Sequence, residues 1–170
     1  TYPGAQALFI DHSQPMVEQA IENLVAYQHQ STVIHGDFSD SLLTYAKPNS
    51  VDCIVSGFAI HHLPHDKKKK LYAEVYSLLK TGGVFINIEH TASATSKLEA
   101  LYDQQFIRHL ATYNGSTVDE IAKEYHSRPD KDDNILERVD IQVEWLRDLG
   151  YRHAECYFKW FELAVFGGVK

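Results

Sequence analysis

The chain has 170 residues, 44% of them apolar, which is enough for one hydrophobic core, and no apolar run approaches the roughly 20 residues that a membrane-spanning helix needs. Lys and Arg total 16 against 23 Asp and Glu, a net charge of −7, and this argues against nucleic acid, whose phosphates are met by cationic surface. The N-terminus carries no charged-then-apolar signal segment, so a cytoplasmic protein is expected, and Cys53 and Cys156 read as buried, reduced thiols.

Strands alternate with helices along the chain, which predicts a mostly parallel, doubly wound α/β sheet covered on both faces. Residues 7–10 form a short apolar strand ending at Asp11. Met16, Val17, Ala20, Ile21, Leu24 and Val25 then recur at helical spacing behind Pro15, which suits a first helical turn. Residues 32–35 are the next strand, closed by Gly36-Asp37. Residues 51–56 are a third, too continuously apolar to face water on either side. The four lysines at 67–70 open a predicted helix and read as its solvated face. That helix spans about 66–80, turns Leu71, Val75, Leu78 and Leu79 inward, and uses Gly82-Gly83 for its C-cap.

A strand follows over 84–88, then a helix over about 96–110 with Leu98, Leu101, Tyr102 and Leu110 on its apolar face. Residues 113–134 hold Asn114-Gly115 and Arg128-Pro129 and read as an irregular cap or lid. A last helix over about 135–149 stops at Gly150. Two strands, 154–158 and 162–166, are joined by a short linker and should pair as a closing antiparallel hairpin. The whole of 1–170 reads as one domain without internal repeats.

In an open parallel α/β sheet, ligands bind beyond the carboxyl ends of the strands, so the residues after each strand carry the chemistry. Asp11 can accept both hydroxyls of a ribose, or it can cap the next helix, a role that Ser13 could also fill. Gly36-Asp37-Phe38 offers close backbone approach, an acceptor for an exocyclic amine and an aromatic face, although such a triplet also makes an ordinary turn. The third strand runs into Ser56, Gly57 and Phe58, and then into the paired imidazoles of His61-His62, which can accept or donate a proton. His61, His62 and His65 lack an acidic or cysteine ligand that would complete a set, so no metal site is expected.

Three such strand ends in one order, followed by Leu78-Leu79-Lys80-Thr81-Gly82-Gly83, resemble the class I S-adenosylmethionine-dependent methyltransferases. Tyr2-Pro3-Gly4-Ala5 leading to Ile10-Asp11-His12-Ser13-Gln14-Pro15-Met16 is similar to the family's second motif, and His35-Gly36-Asp37-Phe38 to its adenine-side motif. The run from Asp52 to Leu63 resembles the fourth-strand motif, and Trp145-Leu146-Arg147-Asp148-Leu149-Gly150-Tyr151 the last helix entering the sixth strand. The resemblance implies that Asp11 binds the ribose hydroxyls, that His12 and Met16 line the adenine pocket, and that Asp37 takes the adenine amine beside Phe38. Ser56, Gly57 and Phe58 would lie near the methionine end, with S-adenosylhomocysteine as the product.

The family's sheet order is 3-2-1-4-5-7-6, and its glycine-rich loop joins the first strand to the first helix. Neither that strand nor that loop is found in this sequence. The expectation is therefore a domain that is N-terminally incomplete, within a longer protein or completed by a partner chain. As an isolated monomer, residues 1–170 are expected to be unstable and not competent.

The implied reaction moves a methyl group from S-adenosylmethionine to an O, N or C atom of a small molecule. His61 or His62 is the candidate base, although the pair can equally serve packing. Tyr113, Tyr125, His126, Arg128 and Trp160 are candidates for shaping an acceptor pocket. Two other readings stay open: a tRNA-modifying methyltransferase, and a non-catalytic methyltransferase-like scaffold. A homodimer is also left open.

Overall fold

The computed structural model describes residues 3–128 and 133–170, so Tyr2 of the second-motif segment and Pro129 of the Arg128-Pro129 step lie outside the described residues. Residues 1–45 and 46–170 form two compact units.

In the first unit, β1 (Ala7–Asp11) pairs in parallel with β2 (Ser31–His35), with Ala7 opposite Ser31 and Asp11 opposite His35. α1 (Gln14–Asn23) connects them and carries Pro15 in its first turn, as predicted. The helix stops at Leu24, and a short 3-10 turn over Val25–Tyr27 takes over, so the periodic set runs past the helix itself. Of that set only Val17 is buried, while Met16, Ile21 and Val25 are exposed. Ser13 sits at the N-cap but makes no side-chain cap bond, contrary to the role its position suggests. Its backbone N–H instead donates to Asp11 Oδ1 at 2.8 Å.

The second unit holds β3 (Val51–Gly57), β4 (Leu79–His90), β5 (Arg152–Trp160) and β6 (Leu163–Val169) in the order β3-β4-β6-β5. β3 and β4 are parallel, whereas β6 is antiparallel to both of its neighbours, so this sheet is mixed. Deleting the first strand from the order 3-2-1-4-5-7-6 leaves the strings 3-2 and 4-5-7-6, and those are the two sheets found.

Period-two alternation along β4 turns Phe85, Asn87 and Glu89 to one face, each fully buried. α2 (His65–Leu78) sets Lys68, Leu71, Tyr72, Val75 and Leu78 against that core at helical spacing. α5 (Val139–Asp148) adds Val139, Gln142, Val143 and Leu146. The Tyr72 ring packs 5.6 Å from Phe85 and 6.5 Å from Phe166, and its hydroxyl donates to Gln142 Oε1 at 2.6 Å. Each large apolar side chain buried in this way contributes about 1.5–3 kcal/mol.

Several expectations are corrected. α2 ends at Leu78 and the chain passes directly into β4, so Leu79 is a strand residue. Gly82, at φ 81°, serves an irregularity where pairing jumps from Val51–Leu79 to Cys53–Val84, and it is not a helix cap. β3 exposes Cys53 and Val55, which alternate onto one face of the sheet, and it is an edge strand paired with β4 alone. Cys156 is half-buried. Lys68 is not part of a solvated face: it is buried, and its ammonium donates to the carbonyls of His61, Leu63 and Ile135.

α3 (Ser96–Asn114) runs further than predicted and ends at Gly115, whose φ of 68° suits a left-handed cap. Its buried residues are Ile107 and Ala111, while Leu101 faces solvent. Within 113–134, read as irregular, lies α4 (Val118–His126), started by a reciprocal capping box between Thr117 and Glu120. Ile121 docks it onto Ile107 and Ala111. The last helix starts later than its pattern suggests because residue 135 is engaged elsewhere: Ile135 N–H donates to His61 O and Ile135 O accepts from Lys68. No helix among the described residues is long and apolar enough to cross a membrane.

Candidate active site

In the first unit, parallel pairing brings the ends of β1 and β2 side by side. Gly36 N–H donates to Asp11 O at 3.0 Å, and His35 Nε2 lies 2.9 Å from His12 O. Asp11 and Asp37 therefore project from adjacent strand ends, each carboxylate accepting from the backbone two residues on: Ser13 at 2.8 Å and Ser39 at 2.7 Å. His12 and Met16 are exposed near them, and Phe38 is half-buried. A Cβ on Gly36 would press on the Tyr45 hydroxyl, which would have to shift. That hydroxyl donates to Asp37 O.

In the second unit, a cavity of about 370 Å³ opens beyond the carboxyl ends of β3 and β4. Phe58, Tyr102, Phe106, Tyr125 and Phe161 give it aromatic walls, and His61, His62, His90, Asp103, Arg128 and Glu162 supply its polar groups. Phe58 N–H extends the β3–β4 ladder by donating to Ile88 O at 2.8 Å, and the residue then turns at φ 50°, a conformation costly for a bulky side chain. Ser56 is half-buried on β3, and a Cβ on Gly57 would meet no atom within 4 Å, so the backbone there is approachable.

The 3-10 turn Ile60–His62 carries the histidine pair, with ring centroids 3.9 Å apart. The two rings have different surroundings. His61 is buried, and its Nδ1 lies 2.6 Å from Oε1 of Glu89, which is itself fully buried. His62 Nδ1 lies 3.4 Å from Asp133 O. A second histidine–carboxylate pair joins His90 Nε2 to Glu162 Oε2 at 3.2 Å, with Ser93 Oγ donating to the other oxygen of Glu162. Across the cavity, the Tyr125 hydroxyl donates to Asp103 Oδ1 at 2.7 Å. Burial, and then that carboxylate, push the Tyr125 phenol well above its ordinary pKa, so it stays protonated. Burial pulls the Lys68 ammonium down to about 8, offset in part by Glu89 and Glu137.

Of the candidates for the acceptor pocket, Tyr125 and Arg128 line the cavity. Trp160 stands behind it, its ring 4.9 Å from His109 and 6.0 Å from Phe106. His126 packs on Tyr125, and Tyr113 is exposed. The sequence reading missed Glu89, His90, Tyr102, Phe106 and Glu162. Glu89 and His90 close β4, so applying the strand-end rule to the fourth strand as well would have found them. The others lie on α3 and in the β5–β6 turn, and the chain order carries no signal for them. No group of three or more His, Cys, Asp or Glu able to hold a metal ion occurs among the described residues.

Residues 1–83 match a family model described as a methyltransferase domain. Over 170 residues, or 97% of the chain, the sequence is 25% identical to a carboxy-S-adenosyl-L-methionine synthase of Shewanella denitrificans, of which the match covers 65%. A protein of the same name from Pasteurella multocida is 22% identical, with 99% of this chain and 67% of that protein covered. The chain thus spans about two thirds of the length of these relatives. Among solved structures, phosphoethanolamine N-methyltransferase 2 of Haemonchus contortus, complexed with S-adenosylhomocysteine, has a TM-score of 0.63 at 14% identity, covering 98% of this chain and 44% of that one. An O-methyltransferase family protein of Burkholderia thailandensis gives 0.61 at 11% identity, covering 98% and 51%. At these identities the structural likeness speaks for the fold. This order of strands and these likenesses give the chain the fold of these methyltransferases, and its residues 1–83 match the methyltransferase domain.

Proposed function

We propose that the protein transfers a methyl group from S-adenosylmethionine to a small-molecule acceptor held in the cavity beyond β3 and β4. The observation that carries this reading is the cavity itself: about 370 Å³, with aromatic walls, beside a buried histidine–carboxylate pair. A volume of that order takes a small organic molecule and no macromolecule. The net charge of −7 also speaks against tRNA as the acceptor, and the buried pair against a purely scaffolding role.

Methyl transfer is an in-line displacement at an activated sulfonium, so the protein's work is alignment, exclusion of water and, for a protic acceptor, removal of a proton. In this reading Asp11 accepts from the ribose hydroxyls, with His12 and Met16 along the adenine. Asp37 accepts from the adenine amine beside Phe38. Ser56, Gly57 and Phe58 serve the methionine end, and His61 or His62 meets the acceptor.

The test is mass spectrometry of the intact protein with S-adenosylmethionine and a panel of small phenols, amines and acidic carbon compounds. A product heavier by one methyl group, with stoichiometric S-adenosylhomocysteine, is expected. Binding of the cofactor with neither a methylated product nor a change in the cofactor itself would favour the scaffold reading. Light scattering on the same sample decides whether the protein is a homodimer.

The match of the whole chain to carboxy-S-adenosyl-L-methionine synthases favours a second reading, in which the protein makes carboxy-S-adenosyl-L-methionine. In that case, with a carboxylic acid able to give up carbon dioxide added as donor, the methyl group on sulfur loses a proton and gains that carboxyl group, and no methylated acceptor forms.

A further inference from the structure

Building on the transfer reading, we infer that Glu89 is a positioning residue that makes His61, and not His62, the base of the acceptor site, and that the acceptor is a flat molecule bearing an ionisable hydroxyl.

The argument starts from how firmly His61 is held. Its backbone carbonyl accepts from the buried Lys68 ammonium at 3.2 Å and from Ile135 N–H at 3.0 Å. Its ring is tied at Nδ1 to Glu89 Oε1, 2.6 Å away. Glu89 is fixed in turn, with Oε1 also accepting from His90 N–H at 3.0 Å and Oε2 lying 3.5 Å from Asn87 Nδ2. A carboxylate accepts and does not donate, so Nδ1 must carry the proton. The lone pair of the neutral ring is then on Nε2. His61 lines the cavity, so Nε2 is the ring atom left for the acceptor.

Among the described residues His62 has no such partner, and its Nδ1 is 3.4 Å from a backbone carbonyl. It stacks against His61 and fills the wall.

The consequence for the acceptor is chemical. Carbon or tertiary amine nucleophiles that carry no labile proton need no base, whereas a hydroxyl does. His61 Nε2 takes the hydroxyl proton as the acceptor oxygen bonds to the methyl carbon. The carbon–sulfur bond breaks and its electron pair stays on sulfur, which becomes a neutral thioether. The positive charge ends on the His61 ring, where the buried Glu89 carboxylate stabilises it. The rings of Phe58, Tyr102, Phe106 and Phe161 fit a flat, aromatic frame for that hydroxyl.

The test combines histidine-selective ¹⁵N NMR with kinetics on the intact protein. In the wild type the neutral His61 ring is expected as the Nδ1–H form. Glu89→Gln presents an amide that can donate to Nδ1 and should convert the ring to Nε2–H. Turnover of phenolic acceptors should then fall by roughly 10²–10⁴-fold, the range for a lost base, with cofactor affinity unchanged by calorimetry. Glu89→Asp keeps the carboxylate and should restore part of the rate and the Nδ1–H form. A role in packing alone would lower thermal stability without changing the tautomer or separating kcat from cofactor binding. The assignment is overturned if wild-type His61 is Nε2–H, if Glu89→Gln turns over normally, or if only carbon acceptors are methylated. If instead the tautomers behave as stated and the wild type methylates nothing, the transfer reading is what fails.

Discussion

The two compact units differ in what holds them together. Residues 46–170 bury Tyr72, Val75, Leu78, Leu79, Phe85, Leu146 and Phe166 between two helices and one sheet face. Residues 1–45 bury Val17 as their one core side chain among the described residues, and leave Leu8, Phe9, Met16, Ile21 and Val25 exposed. A two-stranded sheet with one helix is marginal on its own. The difference is instructive because chemistry and stability are divided along the same line. The larger unit has a core that fixes a cavity and its histidine–carboxylate pair, while the smaller presents two carboxylates on strand ends with little packing beneath them.

The largest expected effect tests the larger unit's chemistry. His61→Ala should reduce turnover by roughly 10²–10⁴-fold, about 2.7–5.4 kcal/mol of barrier, with cofactor affinity nearly unchanged. Equal losses in both would mean that the ring supports the fold and does no proton transfer. Next comes packing. Phe166→Ala should cost about 3–5 kcal/mol of stability in denaturant melts, because the side chain is fully buried. Val17→Ala in the smaller unit should cost only about 1.5 kcal/mol, taking about 0.8 per methylene-sized group. Comparable losses at the two positions would remove the contrast between the units.

Asp11→Ala should weaken calorimetric binding of S-adenosylmethionine by about 1.5–3 kcal/mol, the value of a charge-assisted hydrogen bond, and leave the melting of the larger unit unchanged. Retained affinity would take the ribose away from Asp11 and leave it a turn residue.

A further effect depends on pH. Lys68 has a folded pKa near 8 against an ordinary 10.5. Between those two values the unfolded chain binds more protons, so this group's contribution to stability rises with pH across the window. Above about pH 10 the sign reverses, since Tyr72, Tyr125 and Tyr151 keep their protons when folded and lose them when unfolded. Subtracting melts of Lys68→Met from wild type between pH 7.5 and 10 isolates the lysine, and a flat difference would show that it is not desolvated.

What the sequence determined by itself is local and periodic. Pro15 announced α1, the apolar run over 84–88 marked a strand, and a short linker made β5 and β6 a hairpin. Asp11 and Asp37 were legible because strand-end position alone brings them together once β1 and β2 pair in parallel. The tertiary structure decided whatever depends on partners distant in sequence. Four adjacent lysines look alike along the chain, yet only Lys68 turns inward, because three backbone carbonyls from two separate segments converge on its ammonium and offset its burial. His61 and His62 are equivalent neighbours in the sequence. They part in the fold because β4 delivers Glu89, 28 positions away, to one ring and not to the other. A carboxylate's effect on an imidazole depends on a separation of a few ångströms, and chain order does not encode that distance.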